Sequence, residues 1–352
     1  MISFSDYRFT FERQPLARPF HFKGGFFTEK WINVVRLNPD DQEERAPEGD
    51  GSLTHQRDRR PVVTGIGGNA VLWSDAAVFR AWSEAGGNEL MSIVAERAVQ
   101  LARGQTFADP IAAFSAIRDE LHEFARRTTL NSGLTPTFTL NAMTALDFAL
   151  WRAYALARGC ERLDELVPQE QRGAFPETAD SLLRVPLISY NVPTSEVVEL
   201  VREGHRVLKI KLGQSGTPPE MLERDARRLA ELHEAVTNAS DEVSYYLDAN
   251  GRYPDLETME RLLDLAEKAG VLPRVILLEE PFPYDRKIPV DRLPVRVAAD
   301  ESLHDVSDLE ERIELGYGAL ALKPAGKTLS VSVLMAAAAA KRGIPCFVAD
   351  SA

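Results

Sequence analysis

Residues 206–213 read Arg-Val-Leu-Lys-Ile-Lys-Leu-Gly. Successive side chains of a β-strand point to opposite faces, so Lys209 and Lys211 share one face and the apolar residues around them the other. Two ammonium groups in one small space disfavour each other's charge, which lowers the pKa of each. A lysine that acts as a base near neutral pH benefits from this arrangement. Taken alone, the pattern also fits a solvated strand edge, and the residues that follow it decide between the two interpretations.

The composition is that of an ordinary soluble globular protein. Of the 352 residues, 44% are hydrophobic and 27% are charged, and the length indicates two domains or a barrel with an added unit. The net charge of −12 argues against nucleic-acid binding, and no apolar run is long enough for a membrane span. The N-terminus lacks the pattern of a secretion signal, and only Cys160 and Cys346 are cysteines. We therefore expect a cytoplasmic protein without nucleic-acid or membrane partners.

The first third of the chain predicts an α+β unit, with strands at 2–12, 31–37 and 62–67 and helices at 74–103, 109–127 and 138–158. Between the first two strands, residues 18–28 carry four phenylalanines and a glycine pair. This stretch is either a hairpin connection with buried rings or a mobile flap that closes over a site. Residues 38–60 are charged, contain Pro and Gly and show no period, which predicts a disordered insertion.

From residue 184 onward, short apolar runs alternate with helical patterns. The predicted strands are 184–190, 206–212, 243–249, 274–279, 295–299, 318–323 and 345–349, and the predicted helices between them are 194–203, 218–237, 255–269, 307–315 and 328–342. Repeated βα units predict an α/β fold with a parallel sheet, and their rhythm is that of a TIM-type barrel.

Charged residues end five successive strands of this predicted barrel. In chain order they are Lys209 and Lys211, Asp248 (followed by Asn250), Glu279, Asp300 and Lys323. Active sites of such barrels lie at the carboxyl ends of the strands, where three converging carboxylates repel each other unless a cation is present. Any one of these acids could be a helix cap, but three on successive strands are stronger evidence for a shared site. Oxygen ligands without His or Cys predict Mg²⁺, with Mn²⁺ as a substitute, rather than Zn²⁺.

Taken as a set, K-x-K, D-x-N, E-E-P, D-E-S and the lysine after them resemble the motifs of the enolase superfamily, specifically its muconate lactonizing enzyme subgroup. The run A-L-D-F-A-L-W at 145–151 is similar to the helix that precedes the barrel in that family. The resemblance implies a modified TIM barrel of the (β/α)7β type at 131–352 and an N-terminal α+β capping domain at 1–130. Relatives have an eighth barrel strand, whereas this chain ends with the seventh, so we expect the protein to continue beyond Ala352.

The resemblance also implies roles for the residues that carry it. Asp248, Glu279 and Asp300 would bind the metal, and Lys211 and Lys323 would flank the substrate carbon on opposite sides. Lys209 would tune Lys211, Asn250 would support the ligands, and alternation turns Glu280 away from them. The shared chemistry is removal of a proton alpha to a carboxylate to give an enediolate, which a divalent cation stabilises as a Lewis acid.

The sequence leaves the product of that reaction open. The first choice is a racemase or epimerase of an amino-acid-like or dipeptide-like carboxylate. The alternative is a lyase or cycloisomerase, with o-succinylbenzoate-synthase-like dehydration or muconate-type lactonisation as examples. A third hypothesis is a barrel that binds metal and ligand without catalysis.

The expected partner is a small-molecule carboxylate. Relatives are often homo-oligomers, so a homo-oligomer is a further expectation. The weaker candidates for substrate contacts are Ser189, Asn191, Phe20, Phe26 and His304.

Overall fold

The structure is a computed structural model that describes residues 1–40, 61–175 and 181–349. Its first sheet is antiparallel and, in the described residues, consists of β1 (Ile2–Phe22), β2 (Gly25–Pro39), β3 (Val63–Asn69) and β4 (Thr106–Phe107), in the order β3-β2-β1-β4. β1 and β2 form one long hairpin that turns at Lys23 and Gly24, which have φ values of 51° and 72°.

The hairpin bears on two sequence-based expectations. Both strands run through the aromatic stretch at 18–28, where Phe20 pairs with Phe27 and Phe22 with Gly25, so the stretch is a hairpin connection; its movement as a flap stays a prediction. Of the predicted insertion at 38–60, residues 38 and 39 belong to β2, residue 40 follows that strand, and residues 41–60 lie outside the described residues.

Four helices follow the first sheet: α1 (Val71–Ser74), α2 (Ala76–Ala102), α3 (Pro110–Thr129) and α4 (Pro136–Arg158). α4 packs directly against β3 because β3 presents glycines where α4 presents alanines. A Cβ atom on Gly65 would lie 2.0 Å from the carbonyl oxygen of Ala145 and 2.4 Å from the amide nitrogen of Ala149. Glycine at position 65 therefore sets how closely the sheet and the helix approach.

The second sheet carries the barrel-type repeats. After the short α5 (Leu163–Leu166), its elements are β5 (Leu187–Ile188), α6 (Thr194–Arg202), β6 (Val207–Lys211), α7 (Pro218–Thr237), β7 (Ser244–Asp248), α8 (Leu256–Lys268), β8 (Val275–Glu279), β9 (Val297–Ala299), α9 (Val306–Glu314), β10 (Ala319–Leu322), α10 (Pro324–Lys327), α11 (Leu329–Arg342) and β11 (Cys346–Val348). Within the described ranges the sheet has seven parallel strands in consecutive order from β5 to β11. The predicted α/β architecture is confirmed, although β5 is much shorter than the predicted 184–190.

The barrel strands are apolar on both faces. Their outer side chains, such as Leu208 and Leu278, join the main core beneath the helices, whereas Tyr246, Leu277 and Ala298 form a separate cluster on the inner side. Burial of one such large apolar side chain contributes about 1.5–3 kcal/mol, so both layers hold the strands in register. The division of the chain at residue 130 stays a prediction. In the part of the chain that the structure describes, no helix is long and apolar enough to cross a membrane.

Candidate active site

The predicted site residues lie at one level of the second sheet. Lys211 pairs with Asp248 and Asp248 pairs with Glu279 across three neighbouring strands. Glu279 in turn pairs with Ala298, and alternation places Asp300, two residues further on, at the same face. Lys323 follows the next strand, β10. The parallel register thus brings the five charged strand ends together, with Lys211 and Lys323 at opposite ends of the row.

Lys209 lies behind this row between two carboxylates. Its Nζ is 2.8 Å from Asp248 Oδ2 and 2.6 Å from Glu279 Oε2, and it donates a 3.0 Å hydrogen bond to the hydroxyl of Tyr246. Burial disfavours the ammonium, but the attraction of Asp248 and Glu279 outweighs burial and raises the pKa of Lys209. The expectation that crowding lowers both lysine pKa values is therefore wrong for Lys209.

Lys211 has the opposite shift. Its buried Nζ is 2.6 Å from Asp248 Oδ2 and donates a 2.8 Å hydrogen bond to Asn250 Oδ1. Burial lowers the pKa of Lys211, and the neighbouring ammonium of Lys209 lowers it further, while Asp248 opposes the shift. A lysine with a lowered pKa holds a larger neutral fraction near pH 7, which is what a general base requires.

At the other end of the row, Lys323 and Lys327 both hold Asp300. Lys323 Nζ is 2.6 Å from Asp300 Oδ2, and Lys327 Nζ is 3.0 Å from Asp300 Oδ1 and also contacts the Asp300 carbonyl oxygen. Burial disfavours the charge of Lys323, but Asp300 and Glu279 raise its pKa. Sequence reasoning missed Lys327, and a helical turn of four residues is too short to give a periodic signal that could have revealed it.

The acids of the row are fully buried. Burial raises the pKa of Glu279, and the charge of Asp300 raises it further. The pKa of Asp300 shifts the other way: burial opposes its ionisation, but Lys323 and Lys327 hold the pKa well below its usual range. The pKa of Asp248 is lowered to about 2, because Lys209 and Lys211 overcome the effect of burial.

Oxygen atoms of Glu279, Asp300 and Glu301 lie within 4.8 Å of one another, and we call these three residues the acid cluster. Asp248 is not part of this cluster, because one of its oxygens faces both lysines of β6 and the other accepts a hydrogen bond from the backbone of Asn250. The cluster therefore contains two of the three predicted ligands together with Glu301. Glu301 stands in the D-E-S motif but was not assigned from the sequence.

Asn250 and Glu280 connect the parts of this site. Asn250 accepts from Lys211 and donates from Nδ2 to Glu301 Oε1 at 2.8 Å, so it links Lys211 to the acid cluster. Glu280 faces the other way, as alternation predicts. Its Oε2 accepts hydrogen bonds from the backbone of Asp300 (2.6 Å) and Ser302 (3.3 Å) and from the Ser302 hydroxyl (2.9 Å), which fixes the turn after β9.

Aromatic rings from the N-terminal part cover the lysines. Lys211 Nζ lies 5.5 Å from the centroid of the Phe22 ring, and Lys323 Nζ lies 4.3 Å from that of Trp73. At the hairpin turn, Lys23 donates a 2.8 Å hydrogen bond to the carbonyl of Trp73 and lies 3.9 Å from Glu301. Rings over buried amines exclude water, and cation–π attraction offsets part of the lost hydration.

The weaker candidates have partners of their own. Ser189 donates to Asn191 Oδ1, and Asn191 donates to the carbonyl of Pro19, so this pair contacts β1 close to the hairpin turn. Phe20 packs against Phe27 and against Phe22, one of the rings that cover the lysines. Phe26 is 50% exposed and stacks on His21. His304 is buried, with its ring nitrogens on Asp308 and Thr137. Contact of any of these residues with substrate stays a prediction.

The donor set of the acid cluster suits a hard divalent cation. All candidate ligand atoms are carboxylate oxygens, the kind that Mg²⁺ prefers. The buried atoms Glu279 Oε1 and Glu301 Oε2 have no hydrogen-bond partner among residues 1–40, 61–175 and 181–349. Buried carboxylates that repel each other and lack donors gain most from a cation placed between them. The residues present therefore fit a magnesium site.

The comparisons with known proteins support the fold. Residues 194–350 match the model of the family described as "Enolase C-terminal domain-like". No curated protein matches the chain in sequence. The resemblance read from the motifs is confirmed: the chain has the fold of the enolase superfamily, and many of its structural neighbours belong to the mandelate racemase, muconate lactonizing enzyme and dipeptide epimerase group.

Three solved structures illustrate the likeness. The L-Ala-D/L-Glu epimerase from Bacillus subtilis is 17% identical with a TM-score of 0.69, and the alignment covers 99% of this chain and 82% of that one. The muconate lactonizing enzyme from Pseudomonas fluorescens is 18% identical (TM-score 0.68; 99% and 80% covered). The dipeptide epimerase from Enterococcus faecalis, complexed with Mg and the dipeptide L-Leu-L-Tyr, is 17% identical (TM-score 0.66; 99% and 82%). At these identities the likeness establishes the fold.

Proposed function

We propose that this protein is an enzyme that removes the proton alpha to a carboxylate, and that it racemises or epimerises an amino-acid-like or dipeptide-like substrate. One observation carries the proposal: two buried lysines stand at opposite ends of the acid row with opposite pKa shifts. Lys211, whose pKa is lowered, takes the proton on Nζ. Lys323, kept protonated by Asp300, delivers a proton to the opposite face of the carbon.

The site holds amines and carboxylates in similar number. Lys209, Lys211, Lys323 and Lys327 are paired with the carboxylates of Asp248, Glu279 and Asp300, so a bound divalent cation would add the positive charge that favours a carboxylate substrate. Mg²⁺, held by the set that the resemblance implies (Asp248, Glu279 and Asp300), would supply a positive charge that stabilises the charge developing on the substrate carboxylate. Glu301, which lies near Glu279 and Asp300, is a further oxygen donor. Asn250 keeps the base and the acid cluster in fixed relation.

Structural neighbours support this choice of substrate. The B. subtilis and E. faecalis proteins are named for epimerisation of dipeptides, and the E. faecalis structure contains Mg. A muconate lactonizing enzyme is among the neighbours as well, so a cycloisomerase or lyase with Lys211 as the only base is the second candidate.

The test is solvent exchange. Dipeptides and N-acyl amino acids of both configurations are incubated with the enzyme and Mg²⁺ in D₂O, and loss of the alpha proton is followed by ¹H NMR together with the configuration of the product. Epimerisation gives deuterium in both epimers. In Lys211→Ala, exchange of the alpha proton should be lost for one epimer more readily than for the other. Formation of an alkene or a lactone would favour the second candidate. Absence of exchange across this series would refute the epimerase proposal, and absence of exchange across a broad library of carboxylates would refute both candidates and favour a binding protein.

A further inference from the structure

Asp147 on α4 reaches across to the first turn of α11. Its buried Oδ2 accepts hydrogen bonds from the backbone N–H groups of Leu329 (2.8 Å) and Ser330 (3.1 Å), and the Ser330 hydroxyl donates to Oδ1. Trp151, one turn further along α4, donates its indole N–H to the same hydroxyl at 3.1 Å. The first N–H groups of a helix have no partner within that helix. A residue of the A-L-D-F-A-L-W run therefore supplies the partners for the start of α11.

The residue just before these amides has a strained backbone. Thr328 has φ 77° and ψ 150°, a region that suits glycine and disfavours a β-branched residue. A residue held in such a region is disfavoured about 5- to 150-fold and persists only where its surroundings fix it. Thr328 is fully buried, and its hydroxyl accepts a hydrogen bond from the N–H of Val331.

Thr328, which we call the joint, connects α11 to the amines that hold Asp300. Lys327 immediately precedes Thr328, and Lys323 precedes α10, whose only turn is closed by hydrogen bonds from the N–H groups of Gly326 and Lys327 to the Lys323 carbonyl. α10 also packs against α4. Lys323 directly follows β10, so the sheet fixes one end of this segment; the direction in which the chain leaves Thr328 fixes the other end, which carries Lys327 and closes the turn on the Lys323 carbonyl.

We propose that Asp147 is a positioning residue for the catalytic lysine: by clamping the first two amides of α11, it holds Thr328 in its strained conformation and so fixes Lys323 and Lys327 against Asp300. The part of this inference that concerns catalysis rests on the proposed function, because it assigns Lys323 a role in proton transfer. The structural part stands on the contacts alone. The competing explanation is that Asp147 only stabilises the contact between α4 and α11.

Substitution of Thr328 separates the two explanations. Glycine adopts this backbone region without strain, so in Thr328→Gly the joint no longer needs the clamp. Positioning therefore predicts that Asp147→Ala has a large effect in the native background and a much smaller one in the Thr328→Gly background. A merely stabilising contact predicts the same effect of Asp147→Ala in both backgrounds.

Hydrogen–deuterium exchange of residues 323–333, followed by mass spectrometry, measures this without any substrate. In Asp147→Ala we expect the amides of Gly326 and Lys327 to exchange at least about tenfold faster, besides those of Leu329 and Ser330, which lose their acceptor. In the double variant with Thr328→Gly, the amides of Leu329 and Ser330 still exchange fast, whereas those of Gly326 and Lys327 return to within about threefold of the native rate.

The matched control is Asp255→Ala, which removes the aspartate cap of the distant α8 and should leave exchange at 323–333 unchanged. If Asp147→Ala does not fold, Ser330→Ala removes the hydroxyl contact alone and should change the same amides in the same direction. Acceleration confined to Leu329 and Ser330, or equal acceleration of Gly326 and Lys327 in both backgrounds, overturns the inference.

Activity is a separate readout. Once a substrate is known, positioning predicts that Asp147→Ala lowers kcat at least about tenfold with little change in KM, and that Thr328→Gly restores part of the loss. If the exchange result holds and no carboxylate loses its alpha proton, the proposed function fails while the clamp stands. If the exchange result fails, the positioning role is overturned whatever the activity.

Discussion

Lys209 offers the sharpest test of the electrostatics, because its ammonium is shared by two buried acids. In Lys209→Met the chain keeps a side chain of similar length but loses the contacts of 2.8 Å to Asp248 and 2.6 Å to Glu279. Asp248 retains Lys211 at 2.6 Å. Glu279, in contrast, loses its closest ammonium. Both carboxylates are completely buried, so the loss cannot be made up by water.

The expected loss of stability follows from the charge of Glu279, which is left without its closest ammonium. Leaving one buried charge without its partner destabilises a protein by about 3–5 kcal/mol. The cost is limited at low pH, because burial and the charge of Asp300 already raise the pKa of Glu279 and the acid can take up a proton. A raised pKa in the folded state favours the protonated form. The variant should therefore lose stability relative to the native protein as pH rises above the ordinary range of a glutamate.

Urea denaturation in EDTA, at pH 5 and at pH 8, measures both effects. Lys268→Met, at an exposed position at the end of α8, is the matched control and should change stability by less than about 0.5 kcal/mol. Mg²⁺ should narrow the gap between Lys209→Met and the native protein, because the ion takes the place of the missing cation. If Lys209→Met were as stable as Lys268→Met at pH 8, the ion-pair reasoning would be refuted.

Three further outcomes are expected. Asp248→Asn should weaken Mg²⁺ binding, measured by calorimetry, more than about 100-fold, which exceeds the about 10–100-fold effect of residues that only support ligands. Glu301→Gln should weaken Mg²⁺ binding less than Asp248→Asn does. The reverse order would make Glu301 the third ligand. Burial raises the pKa of Asp147 to about 6 from 3.8, so its contribution to stability is present below pH 3.8 and lost as pH rises to about 6. The native protein should then lose about 2.5 kcal/mol relative to Asp147→Asn between pH 4 and 7. The same pH dependence of the free energy of unfolding in both proteins, measured by urea denaturation, would contradict this. Gly65→Ala should destabilise the fold by about 3 kcal/mol, because the new Cβ meets the backbone of α4, while Gly173→Ala, with open space around it, should be neutral within about 0.5 kcal/mol in the same assay.

The strand ends could be predicted because two simple regularities place them. Side chains alternate along a strand, and the carboxyl ends of parallel strands meet at one edge of the sheet. These two regularities bring Lys211, Asp248, Glu279, Asp300 and Lys323 together before any coordinate is known, and the structure shows them at one level. The parallel order of the barrel strands follows from the same repeats.

Other features depend on contacts between segments far apart in the chain. Trp73 lies over Lys323 only because α1 and α10 both approach the carboxyl ends of the strands, and no local pattern encodes that approach. Lys327 reaches Asp300 because α10 is a single helical turn, and four residues are too few to give a periodic signal. The first hairpin is longer than the predicted strands 2–12 and 31–37, because β1 and β2 stay paired up to the turn at Lys23 and Gly24.

The two lysines of β6 show why residue type and spacing alone do not fix chemistry. Lys209 and Lys211 share a face and an inner environment, yet the pKa of the first is raised and that of the second lowered. The two pKa values differ because the lysines, although only two residues apart on the strand, have different neighbours. Lys209 Nζ lies within 2.8 Å of two carboxylates, whereas Lys211 is paired with one carboxylate and an amide, beside the charge of Lys209 itself. Burial and the ammonium of Lys209 together lower the pKa of Lys211, which supports the proposal that the second lysine of K-x-K is the base.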